Sequence, residues 1–91
     1  MLLRRSVLKE TMFKVLVDTI AKAKKFVSIT NEFDCDIDVI RNRYTIDGKS
    51  IMGLFSLDLL KPITVKIHSD NEEEIKRFNE IMEEFKYENN L

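Results

Sequence analysis

Residues 33–57 read FDCDIDVIRNRYTIDGKSIMGLFSL. In DIDVI, 36–40, Ile37 and Val39 alternate with Asp36 and Asp38, the period-two pattern of a strand with one face buried. Arg41, Asn42 and Arg43 supply a turn, and YTI returns with Tyr44 and Ile46 on one face, so the spacing predicts a hairpin. Asp47 and Gly48 bring turn chemistry that ends it. Ser50 then stands where an N-cap belongs, its hydroxyl oxygen able to accept from a free amide of the next turn. A short helix follows over 50–57. Gly53 inside it costs about 1 kcal/mol relative to Ala, so packing has to hold the segment more than propensity does.

Upstream, MFKVLV at 12–17 places Phe13, Val15 and Val17 together and predicts a first strand. Asp18 and Thr19 are both N-cap types, and a helix is expected from about residue 19 through TIAKAKKFVSITNEF. Ile20, Ala23 and Val27, with Phe26, Ile29 and Phe33 beside them, form its buried face, and Lys22, Lys24 and Lys25 point outward. Downstream, Pro62 opens ITVKIH, where Ile63, Val65 and Ile67 alternate with Thr64, Lys66 and His68; Pro is tolerated at the start of a strand. Ser69–Glu72 and Asp70–Glu73 both have capping-box spacing ahead of a last helix. Its stripe is Ile75, Phe78, Met82 and Phe85, with Glu72–Lys76 and Glu73–Arg77 as acid-first pairs. The order β-α-β-β-α-β-α predicts an α+β fold, two layers deep, with the helices gathered over one face of a small antiparallel sheet. Leu54 and Leu57 are expected in the core, and Cys35 reads as a small buried hydrophobe.

Composition narrows the function. The chain has 91 residues, enough for one core. Fifteen Lys and Arg against sixteen Asp and Glu leave a net charge of −1, so the basic excess that marks a nucleic-acid partner is missing. One Cys and one His exclude a disulfide framework and a Cys/His zinc site, and suggest a cytoplasmic protein. No apolar run approaches the roughly 20 residues of a membrane helix. Residues 1–11 read as an N-terminal extension, with Met12 a plausible alternative start, and 12–88 as the domain. Neither paired carboxylates, a Gly-rich phosphate loop nor a nucleophile beside a base emerges, so no enzyme activity and no cofactor is expected.

The element order, GKSIMGLFSL at 48–57 and the preceding FDCDIDV resemble the HPr family, the histidine phosphocarriers of the bacterial sugar phosphotransferase system. The likeness runs over 33–68 without a required gap and more loosely over the first and last helices. It implies an open-faced β-sandwich with sheet order 1-4-2-3. Members of that family carry phosphate from enzyme I to sugar permeases on a histidine in a Gly-x-His-x-Arg-Pro loop opening the first helix. VDTIAKAK, at 17–24, has no His, Arg or Pro. Counting back from Ser50 without gaps puts Thr19 at the phosphoacceptor position and Lys22 at the proline; with a shortened loop nothing occupies the site. A threonine phosphoester hands phosphate on far less readily than a phosphoimidazole. In the implied sheet His68 lies roughly 17 Å from the first helix's start, five strand residues away. The expectation is a member without phosphohistidine transfer.

Two further readings come with the resemblance. In the Gram-positive branch the serine of KSIMG is phosphorylated by an HPr kinase, which makes Ser50 the candidate regulatory site. The short helix also presents an apolar patch to protein partners, which makes Ile51 and Phe55, four apart on one face, the candidate partner-binding residues. Two alternatives to a binding module stand beside these: a phosphotransferase-system regulator modified on Ser50, and a non-enzymatic scaffold dimerising through its first-strand edge or its N-terminal extension.

Overall fold

In the computed structural model, which describes residues 11–87, alternation builds one sheet. Its strands are β1 (Met12–Val15), β2 (Asp36–Arg41), β3 (Tyr44–Asp47) and β4 (Ile63–His68). All pairs are antiparallel, in the order β1-β4-β2-β3. Three helices complete the α+β fold: α1 (Ile20–Thr30), α2 (Ile51–Phe55) and α3 (Glu72–Met82), the last followed by a 3₁₀ turn over Glu83–Phe85. Phe13, Val15, Ile37, Val39, Ile63, Val65 and Ile67 are buried on one face of the sheet, against Ala23, Phe26, Leu54, Phe78 and Met82 from the helices. The opposite face carries Lys14, Asp36, Lys66 and His68. Three edge-on aromatic pairs knit the core: Phe13–Phe78, Phe33–Phe78 and Phe26–Phe85, with centroids 5.6, 5.2 and 5.8 Å apart. Each is worth about 0.5–1.5 kcal/mol beyond the area it buries.

Several element ends fall elsewhere than the sequence pattern predicts, each for a local reason. β1 stops at Val15, paired with Ile63; the next residue of β4 would be Pro62, which has no N–H to extend the ladder. Val17 is nevertheless buried. The first helix ends at Thr30 instead of reaching Phe33, because Thr30 and Asn31 turn their side chains to the carbonyls of Gly48 and Lys49. Ile20, expected on the buried face, is 66% exposed: at the first helical position nothing packs over it. Arg41 belongs to β2, leaving a two-residue turn at Asn42 and Arg43, in which Asn42 takes a positive φ of 57°. That is the position and residue type a II′ hairpin turn accepts. α3 is capped by Asn71, whose Oδ1 accepts from the Glu74 amide at 3.1 Å, and not by Ser69 or Asp70. Ser69 supports that cap from outside, accepting from the Asn71 amide and donating to Glu74 Oε1 at 2.6 Å. Arg77 lies over the Phe33 ring, 4.3 Å from its centroid.

The first-strand edge is not open to a partner along its inner half. The Leu16 amide donates to the Phe85 carbonyl, the Tyr87 amide donates to the Lys14 carbonyl, and Val15 bridges Lys86. Thr11 also reaches the sheet, its carbonyl accepting from the Ile67 amide. Residues 1–10 and 88–91, with most of the expected extension, the end of the expected domain at 88 and the choice of start, lie outside the described residues.

Candidate functional site

Ser50 sits where a tightly built turn meets α2. The Gly48 amide donates to the Ile37 carbonyl at 2.7 Å, so close that a Cβ on Gly48 would stand 2.8 Å from that oxygen. Only glycine fits. Asp47 Oδ1 accepts from the Lys49 amide and the Asp47 carbonyl from the Ser50 amide, at 2.9 and 3.1 Å. Three further bonds anchor the turn to the end of α1: Thr30 Oγ1 to the Gly48 carbonyl (2.8 Å), Asn31 Nδ2 to the Lys49 carbonyl (3.1 Å) and Lys49 Nζ to the Phe33 carbonyl (2.6 Å). Ser50, half-buried and extended at φ −107°, ψ 114°, accepts through Oγ from the Gly53 amide at 3.0 Å. Its role as the cap of α2 is as the residue spacing predicts. A Cβ on Gly53 would come within 3.3 Å of that Oγ and 3.5 Å of Ile46 Cδ1, which gives this helical glycine a packing reason.

The helix that follows divides its side chains. Leu54 is fully buried, and Ile51 and Leu57 are half-buried against the core, so Leu57 is a boundary residue and not part of the interior. Phe55 is 43% exposed and Met52 76%. The exposed apolar surface of α2 is therefore Met52 and Phe55 with the flank of Ile51. The i, i+4 spacing of Ile51 and Phe55 does not point to Met52, which lies beside that row on the helix.

At the β1–α1 junction, Thr19 is an exposed N-cap in extended conformation, with Oγ1 accepting from the Lys22 amide at 3.0 Å. Lys22 Nζ reaches back to Asp18 Oδ1 at 3.3 Å, so the one basic group of that turn is matched by a carboxylate. His68 is at the other end of the sheet. The register sets it opposite Asp36, five residues along β4 from Ile63, the partner of Val15. Its Nε2 is 2.7 Å from Asp38 Oδ2. Cys35 is half-buried, not enclosed, and burial, with the Glu74 carboxylate adding to it, raises its thiol pKa. Among the described residues no group of three His, Cys, Asp or Glu is arranged to hold a metal ion, and no helix is long and apolar enough to cross a membrane.

Comparison with known proteins places these features in a family context. A family model described as the PTS HPr component phosphorylation site matches residues 20–86. The phosphocarrier protein HPr of Pseudomonas aeruginosa is 34% identical over 62 residues, which cover 67% of this chain and 69% of that one. Among solved structures, an HPr from Bacillus anthracis superposes with a TM-score of 0.59 at 28% identity, covering 74% of this chain and 88% of that one. HPr-C-His from Thermoanaerobacter tengcongensis shares the fold, with a TM-score of 0.66 at 22% identity over 90% of this chain and all of that one. A mycoplasma histidine-containing phosphocarrier protein does so too, at 0.60 and 18%, over 78% and 90% of the two chains.

Proposed function

The chain belongs to the HPr phosphocarrier family of the phosphotransferase system, and from that premise we propose a member that has given up phosphohistidine transfer. It acts in the cytoplasm as a regulatory, protein-binding module through the face that carries Ser50, Ile51 and Phe55. One observation carries the reading: the single imidazole of the chain, His68 at the end of β4, is bonded to Asp38 of β2, at the opposite end of the sheet from the β1–α1 junction that carries Thr19. Along β4, five residues at about 3.3 Å each put His68 roughly 17 Å from Ile63, the residue paired with the end of β1. Thr19 has its hydroxyl engaged as a helix cap, and the lysine beside it is paired with Asp18. Nothing at that junction offers the ring nitrogen that accepts a phosphoryl group or the guanidinium fork that cradles one.

The test is incubation with phosphoenolpyruvate and enzyme I, followed by intact mass. No gain is expected. An acid-labile phosphate on the chain overturns the reading.

Regulation through Ser50 is the second reading, favoured by the position of its Oγ at the head of α2, half-buried and on an extended backbone. Transfer of the γ-phosphoryl group of ATP to that oxygen, with loss of its proton and release of ADP, would put a dianion where helix amides face it. Treatment with ATP and an HPr kinase is expected to add one phosphate to the wild-type chain and none to Ser50→Ala. An unmodified wild-type chain removes this reading and leaves the first in place. Other proteins of the phosphotransferase system, and that kinase, are the proposed partners; the near-neutral charge recommends no nucleic acid.

A further inference from the structure

The two edges of the sheet differ. Along β1 and the residue after it, the Lys14 carbonyl accepts from the Tyr87 amide and the Leu16 amide donates to the Phe85 carbonyl. β3 is the other edge, paired only with β2. Its hairpin turn is two residues long, so Arg41 and Tyr44 exchange the first ladder bonds, and Ile46 with Val39 the next. The Gly48 amide bonded to the Ile37 carbonyl continues that phase. Alternation therefore turns the backbone groups of Thr45 and Asp47 outward. The Asp47 carbonyl accepts from Ser50; the Thr45 N–H, the Thr45 carbonyl and the Asp47 N–H meet no partner among the described residues.

This edge is complementary to itself. Rotation of a second copy about an axis through Thr45 sets Thr45 opposite Thr45, Tyr44 opposite Ile46 and Arg43 opposite Asp47, each of the last two pairs occurring twice. The two Thr45 residues exchange N–H and carbonyl. Tyr44, 62% exposed, shares the helix-side face with Ile46 and meets an apolar residue. Beside it opens a cavity of about 370 Å³ lined by Arg41, Tyr44, Ile46, Leu57 and Asp58, which a second copy's Tyr44 is placed to cover. Arg43 is exposed and has no carboxylate partner among the described residues, while Asp47, also exposed, uses one oxygen for the Lys49 amide.

We propose that β3 is a docking edge for a second copy of this chain, paired antiparallel about Thr45 and held in register by Arg43–Asp47 contacts between copies. A four-residue strand makes this a weak association, in about the 10 µM to 1 mM range.

Sedimentation velocity of the full chain across about 10 µM to 1 mM tests it. A reversible monomer–dimer equilibrium is expected. R43E sets like charges opposite each other twice and is expected to weaken association about tenfold. R43E/D47N removes the repulsion while keeping the side-chain oxygen that accepts from the Lys49 amide, and is expected to recover part of the lost association. Thr45→Pro removes an outward amide that the monomer does not use and abolishes pairing, with the circular-dichroism spectrum unchanged. A chain monomeric throughout, or a dimer indifferent to both R43E and Thr45→Pro, overturns the proposal.

Discussion

Thr30 Oγ1 donates to the Gly48 carbonyl at 2.8 Å, across eighteen residues of sequence, and so the last turn of α1 fixes the turn that delivers Ser50. Thr30 is fully buried, and the same oxygen lies 3.0 Å from the Val27 carbonyl. Thr30→Val keeps the volume and leaves the Gly48 carbonyl without its side-chain partner, a change that costs about 1–3 kcal/mol for a buried group. Urea denaturation measures that loss, and faster amide exchange at Ser50 and Gly53 accompanies it. A variant within about 0.5 kcal/mol of wild type would show that the clamp is not stabilising.

The two glycines near Ser50 separate under the same substitution. Gly48→Ala forces a Cβ to 2.8 Å from the Ile37 carbonyl oxygen, a backbone atom that moves only if the hairpin moves, and is expected to cost about 1–3 kcal/mol. Gly53→Ala gains about 1 kcal/mol of helix propensity against contacts at 3.3 and 3.5 Å with side chains, and is expected to be much the milder. Equal melting temperatures for the two variants would contradict this.

Phe78 is the keystone of the aromatic cluster, in edge contact with both Phe13 and Phe33. Phe78→Ala opens a void between the sheet and α3 and is expected to cost about 3–5 kcal/mol. Phe78→Leu refills most of it and should recover more than half of the loss. Chemical denaturation of the pair provides the check.

The difference between what the sequence announces and what it conceals follows the range of the interaction. Strand alternation and the caps at Thr19 and Ser50 act within three residues, and each is legible as a pattern. The α3 cap is a near miss because Ser69, Asp70 and Asn71 are all competent oxygens, and only the backbone path selects Asn71. The bonds from Thr30 and Asn31 to the Ser50 turn, and the cover of β1 by Phe85–Tyr87, join segments far apart in sequence. No spacing rule encodes them. The exposure of Met52 and Ile20 likewise depends on what other elements leave uncovered.

That near miss is itself testable. Asn71→Ala removes the oxygen that accepts from the Glu74 amide and is expected to cost about 1 kcal/mol. Asp70→Ala, at a position the capping-box spacing also favours, removes no cap bond and is expected to change stability by less than about 0.5 kcal/mol. Thermal denaturation of the two single variants checks the ranking, and a costlier Asp70→Ala would return the cap to Asp70.

Cys35 provides a pH readout of the α3 start. Burial disfavours its thiolate first, and the nearby Glu74 carboxylate adds to that, so the thiolate forms at higher pH in the folded chain than in an unfolded one. Alkylation requires the thiolate; the folded chain is therefore expected to react more slowly than the urea-unfolded chain at pH 8, and to gain on it as the pH rises. Glu74→Gln removes the repelling charge, lowers the thiol pKa and speeds the reaction at fixed pH. Stopped-flow labelling across the pH range reads both changes, and a folded rate equal to the unfolded one at pH 8 would show that the thiol feels neither burial nor the carboxylate.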